Sequence, residues 1–312
     1  MDFPISGTHI NPLLLIGAGL VIGVLGGFFG VGGSFLAGPA LFAFGVPMNF
    51  VVGTDLAHIV GKSMVAARRH SLMGNIDYKL GLIMVAGTIP GVEAGAQGIQ
   101  FLKRHSDVDR PVALVFIVVL IGISAFVAWE GIRTIRLSKR ERLAKSNTVG
   151  SSSRGKRDVS ALAGVAKQLH RFKLAPMISF PRSGIKEVSL WTILCVAFIG
   201  GVCSGFLGGG AGYIRMPAMV YLLGVPTHLA VGTDLFEVII SGGYGTFTHA
   251  LKGNVDILIA LVMHTGAAVG ARLGASLTQY FHGPRIRLAF VPLPLAGAAL
   301  IIYTLATGRH LG

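Results

Sequence analysis

Residues 45–63 read GVPMNFVVGTDLAHIVGKS, and residues 224–242 read GVPTHLAVGTDLFEVIISG. The likeness continues through MGNIDYKLGLIMVAG at 73–87 and KGNVDILIALVMHTG at 252–266. At an offset of 179 residues, 19 of the 53 paired positions in 45–97 and 224–276 are identical. The matches include Gly53-Thr54-Asp55 against Gly232-Thr233-Asp234, His70 against His249, and Asp77 against Asp256. A Gly-rich turn precedes each copy, GGFFGVGG at 26–33 and GFLGGGAG at 205–212. The chain is built from a duplicated unit.

Composition places that unit in a membrane. Of 312 residues, 52% are hydrophobic and 13% charged, whereas a soluble domain carries about 25% charged residues. Mean hydropathy is +0.70. The 45 glycines agree, because Gly lets membrane helices approach closely. No basic n-region or small-residue cleavage site marks a removable signal peptide. The net charge of +14 is concentrated: residues 131–187 hold 14 of the 27 Lys and Arg against three acids. A basic loop between hydrophobic halves follows the positive-inside rule and needs no nucleic-acid partner. Cys195 and Cys203 lie eight residues apart, about 12 Å along a helix, too far for a disulfide.

Hydrophobic segments fall at 12–29, 35–45, 50–68, 78–101 and 111–131, then at 188–207, 213–223, 228–249, 256–281 and 286–306. The fold expected is an all-α polytopic membrane protein of two repeats, 12–137 and 188–306. A tail (1–11), a basic loop (138–187) and a C-terminal tail (307–312) complete it. Within the loop, 159–173 is a candidate surface helix. The short segments 35–45 and 213–223 cannot span as straight helices and read as broken or re-entrant ones. Five segments per half invert the second copy relative to the first. With the basic loop cytoplasmic, Arg68-Arg69 and Arg285/Arg287 fall inside and both termini outside. Inverted repeats with interrupted helices are the build of secondary transporters.

Ionisable groups inside apolar spans are costly and therefore candidates for function. Arg215 follows the second Gly-rich turn, where a guanidinium beside backbone N–H groups of Gly212, and Gly33 in the first turn, suits an oxyanion. The alternative is an Arg snorkelling to the interface. Lys62 either adds positive charge or reaches the inner surface near Arg68. Thr54 and Thr233 begin long spans; they cap helices or offer hydroxyls to an anion from both repeats. Asp55 and Asp234, with His58 and Glu237 at matched positions one turn on, are the proton-coupling candidates. Glu93 and Arg272 occupy equivalent positions and form a candidate cross-repeat pair. Glu130 and His264 read as structural. The GN-[IV]-D turns at 74–77 and 253–256 read as a helix stop followed by a cap. No HExxH or paired CxxC spacing and no GK[ST] ending occurs, so the sequence implies no enzyme, metal or cofactor.

The duplicated set of Gly-rich turn, short Pro-containing segment (Gly32-Gly33…Pro39; Gly210-Ala211-Gly212…Pro217), GVP…VGTDL and GN-[IV]-D resembles the TauE/SafE sulfite exporter (TSUP) family. The resemblance covers both halves but not the 138–187 insert. It implies an inner-membrane permease for small sulfur-containing anions such as sulfite or organosulfonates. Two departures point to an asymmetric site: Lys62 stands against Ser241, and Arg68-Arg69 against Phe247-Thr248. The reading is a secondary transporter with alternating access between repeats, partnered by a small anion and membrane lipid; a homodimer is compatible with it. The rival is a non-transporting scaffold or sensor acting through the basic loop on anionic lipid or a cytoplasmic partner.

Overall fold

Glycines spaced every four residues decide which helices touch. The structure, a computed structural model, describes residues 1–29, 34–105, 107–146, 174–277, 280 and 289–308. Gly33, the 159–173 segment, Arg285 and Arg287 lie outside these. The first half contains α1 (Pro12–Phe29), α2 (Ser34–Ala43), α3 (Met48–Leu72), α4 (Tyr78–His105) and α5 (Asp109–Ser146). The second contains α6 (Leu190–Leu207), α7 (Gly212–Tyr221), α8 (Thr227–Leu251), α9 (Ile257–Leu277) and α10 (Pro292–Thr307). Six of these ten, α1, α3, α4, α5 (over Asp109–Arg133), α6 and α9, are long and apolar enough to cross a membrane. The protein is an all-α polytopic membrane protein. The short pair, α2 and α7, have 10 residues each, about 15 Å of rise, half of a hydrocarbon layer.

The repeated motifs have local mechanical roles. In GVP, Gly45 and Gly224 take φ of 91° and 78°, ending the short helix in the left-handed region that other residues avoid. Pro47 and Pro226 then stand as N-caps of α3 and α8. In GN-[IV]-D, the Asp caps the next helix: Asp77 Oδ1 accepts from the Leu80 N–H at 3.1 Å, and Asp256 Oδ1 from the Leu258 N–H at 3.1 Å.

Each repeat buries its outer helices against the other repeat. α1 packs on α9 and α6 packs on α4. A Cβ added at Gly19, Gly23 or Gly27 would run into α9 backbone at Met263, Ala267 or Ala271. Likewise one at Gly266, Gly270 or Gly274 would strike α1 backbone. Gly87, Gly91 and Gly95 meet Leu194, Phe198 and Val202 of α6 in the same way, with Gly201 and Gly205 returning the contact. Without a hydrophobic driving force between helices in lipid, this close backbone approach is what holds them together.

At the centre α3 lies against α8, and the two run antiparallel. Gly53, near the start of α3, abuts Asn254 beyond the end of α8; Gly232, near the start of α8, abuts Asn75 beyond the end of α3. Equivalent helices of opposite direction mean that the repeats are inverted.

Three features go beyond the reading of the sequence: α5 runs on to Ser146, into the segment read as loop from 138, and two short hairpins form. Residues 1–11 are not a featureless tail: β1 (Asp2–Phe3) pairs antiparallel with β2 (Thr8–His9). The last part of the basic loop also forms a hairpin, β3 (Met177–Phe180) with β4 (Ile185–Ser189). Composition hid them because two- to five-residue strands carry too little periodicity to register.

Candidate functional site at the repeat interface

Arg215 projects from α7 and is fully buried. Its stem fits because Gly200 of α6 has no side chain; a Cβ there would collide with Arg215 Cγ. The Nε donates to Asp234 Oδ1 at 2.9 Å, and Nη2 lies 2.7 Å from Glu237 Oε2. The two acids are three residues apart on α8, so one guanidinium holds both carboxylates of a single helical turn. Ser241, a further turn along, donates to Glu237 Oε2 at 3.1 Å. Arg215 Nη1, Asp234 Oδ2 and Glu237 Oε1 are buried without a hydrogen-bond partner among the described residues. Arg215 is therefore neither a snorkelling interfacial residue nor a free cation; its charge is matched by carboxylates of its own repeat.

The first repeat builds a different cluster from the same positions. Asp55 is the counterpart of Asp234, and His58 of Glu237. His58 Nδ1 sits 3.7 Å from Asp55 Oδ1 and 3.3 Å from Lys62 Nζ. That nitrogen is within hydrogen-bond distance of the amine alone, and both Asp55 oxygens are without a hydrogen-bond partner among the described residues. Lys62 is 2% exposed, and its bond to His58 corrects the expectation that it could snorkel to the surface. His264, read from sequence as an isolated structural residue, lays its ring on α3 over Gly61, where a Cβ would clash with it. Tyr213, two residues before Arg215, is fully buried, and its hydroxyl has no hydrogen-bond partner among the described residues. Sequence reasoning missed it because a Tyr in an apolar helix looks like packing.

Thr54 and Thr233 lie beside these acids and tie the repeats together. The Thr54 hydroxyl oxygen accepts from the Asp256 backbone N–H at 2.9 Å, and that of Thr233 from the Asp77 N–H at 2.9 Å. Gly212 begins α7 after three glycines and Ala211, all at positive φ (83°, 67°, 73° and 48°). This run of positive φ packs against Val52 and Ile59 of α3 and Val238 of α8. Gly33, its counterpart, is outside the described residues.

The expected Glu93–Arg272 pair does not form. Glu93 is held by Lys252 Nζ at 3.0 Å and by Thr248 Oγ1 at 2.6 Å, whereas Arg272 is exposed. Equivalent positions away from a pseudo-two-fold axis lie on opposite flanks of it, so equivalence in sequence does not bring them together. Glu130 accepts from the Tyr221 hydroxyl at 2.7 Å, away from both clusters.

Inverted repeats, half-length helices and buried ionic clusters on the two central helices are features of a membrane transporter. The comparisons agree. The family profile described as Sulfite exporter TauE/SafE matches residues 15–301, and this chain belongs to that family. It is 25% identical over 299 residues to the Probable membrane transporter protein YunE of Bacillus subtilis (strain 168), covering 93% of this chain and 97% of that one. The Probable membrane transporter protein YjnA of the same organism is 25% identical over 288 residues, 91% of this chain and 94% of that one. A shorter stretch of 74 residues is 40% identical to the Probable membrane transporter protein MJ0441 of Methanocaldococcus jannaschii, 22% of this chain and 27% of that one. No solved structure matches significantly. The family is one of membrane transporters, not enzymes.

Proposed function

We propose that this protein is a secondary transporter of a small sulfur-containing oxyanion, sulfite or an organosulfonate, moved by alternating access between the repeats and coupled to protons. The observation that carries the reading is the Arg215 fork to Asp234 and Glu237. A guanidinium matches a multi-oxygen anion as it matches a carboxylate. An oxyanion arriving at Arg215 competes with Glu237 for Nη2, and a displaced buried carboxylate is costly unless it takes a proton. Anion and proton thus bind together. Lys62 with Asp55 and His58 supplies a second positive charge and a route for the proton. The Thr54 and Thr233 hydroxyls, each accepting from a backbone N–H, still have a hydrogen to donate, and the turn at Gly212 adds backbone donors. In this reading the protein sits in the inner membrane with the 138–187 loop in the cytoplasm.

The test is uptake of radiolabelled sulfite by proteoliposomes containing the purified protein, with and without an imposed pH gradient. Accumulation that collapses when the gradient is dissipated is the expected result. Flux indifferent to the gradient removes the coupling, and no flux of sulfite or of a panel of organosulfonates removes the substrate class. Thr54→Val and Thr233→Val are each expected to abolish uptake while the protein remains folded in the membrane.

A further inference from the structure

The two hairpins carry a second duplication that lies outside the transmembrane repeats. Residues 3–7 read FPISG and residues 180–184 read FPRSG, 177 residues apart. Each pentapeptide forms the turn of a hairpin that leads into the first helix of its repeat. Phe3 and Phe180 are buried, which anchors each hairpin to the helices beneath. The serines do the same thing twice. Ser6 Oγ donates to Asp256 Oδ2 at 2.8 Å, and Ser183 Oγ donates to Asp77 Oδ2 at 2.6 Å. Ser6 adds its backbone N–H to the same oxygen at 3.1 Å.

These aspartates are the caps of the GN-[IV]-D turns, and their own N–H groups donate to Thr54 and Thr233. Each turn is therefore clamped between a hairpin and the start of a central helix, both from the opposite repeat. The Thr in each clamp immediately precedes a buried acid, Asp55 in one and Asp234 in the other. Because α3 and α8 run antiparallel, the Ser6–Asp256–Thr54 clamp sits at the start of α3 and the Ser183–Asp77–Thr233 clamp beyond its end. α3 has 25 residues, which separates the clamps by roughly 30 Å.

We propose that Ser6 and Ser183 are the two gate latches of the transport cycle, one per membrane face, and that opening the site to one face releases one latch while the other stays closed. The inference rests on the transporter reading. In this structure both latches are made, which corresponds to an occluded state. Rocking of one repeat against the other must break contacts between repeats at one end, and these hydrogen bonds cross between repeats at both ends. A two-state element requires opposite effects at its two ends.

The experiment is hydrogen–deuterium exchange on the full chain in lipid nanodiscs, read at 74–80 and 253–259, for Ser6→Ala and Ser183→Ala. Ser183→Ala is expected to speed exchange at 74–80 by about tenfold, the effect of losing a hydrogen bond to a charged acceptor, and to slow exchange at 253–259. Ser6→Ala is expected to do the reverse, and Ser183→Thr, which keeps the hydroxyl, to restore wild-type exchange. Acceleration confined to the mutated end means the hairpins are static caps, and acceleration at both ends means general loosening; either overturns the proposal. Reciprocal exchange in a protein that moves no anion would leave the latches standing and remove the substrate reading instead.

Discussion

Arg215→Met gives the sharpest test of the ionic core. The side chain makes two charge-assisted contacts, 2.9 Å to Asp234 and 2.7 Å to Glu237, with all three side chains at 0–1% exposure. Methionine fills much of the same volume, so the change removes charge more than packing. It leaves two carboxylates one helical turn apart in a water-poor interior. Breaking a buried ion pair by deleting one partner costs about 3–5 kcal/mol. At roughly 2–4 °C per kcal/mol for a chain of this size class, the midpoint falls by about 6–20 °C. Adding Asp234→Asn and Glu237→Gln removes the orphaned charges, so the triple variant is expected to recover most of that loss. Thermal unfolding of the purified protein in one fixed detergent, followed by intrinsic fluorescence, reads both values. Uptake is lost in the single and the triple variant alike, because neither presents a guanidinium to the anion. A single variant with a wild-type midpoint, or a triple variant no more stable than the single, would refute the argument that Arg215 is a buried, carboxylate-matched charge.

Three further outcomes follow from the geometry. In the proposed cycle Glu237 competes with the anion and takes the proton, so for Glu237→Gln uptake measured at several pH values is expected to persist but lose its dependence on the pH gradient. Gly91→Val and Gly270→Val place side chains against Phe198 and Leu20 backbone; overpacking of about 1–3 kcal/mol or more is expected to show as aggregation on size-exclusion chromatography. Deleting 147–173 is expected to leave uptake intact, whereas a scaffold working through the basic loop would lose its function; retained flux decides for the transporter.

Much of the architecture could be read from the chain. The 179-residue duplication, the GVP stops, the GN-[IV]-D caps and the hydrophobic segment lengths each encode a local backbone preference, and local preferences survive in the sequence. The positions of Arg215, Lys62, Asp55, Asp234, His58 and Glu237 were legible for a related reason: an ionisable group in an apolar span is rare enough to stand out. The FPxSG pair at 3–7 and 180–184 was also present in the sequence, but five residues in a polar context do not announce a hairpin.

Pairing across the fold was not legible. Nothing in the spacing says that Arg215 takes both Asp234 and Glu237, that Glu93 finds Lys252 instead of Arg272, or that His264 rests on Gly61 beside Lys62. Nor does it say that Thr54 and Thr233 accept from the opposite repeat's turn. Arg215 meets its acids across neighbouring helices of one repeat, whereas Glu93, His264, Thr54 and Thr233 meet residues of the opposite repeat, brought together by the Gly-mediated approach of α1 to α9 and α4 to α6. The sequence by itself determined a duplicated, inverted, helical membrane protein with charges at its centre, because burial and periodicity are properties of single segments. Only the tertiary structure decided which charges meet, because a salt bridge depends on the relative placement of two helices, and that is set by every contact between the repeats at once.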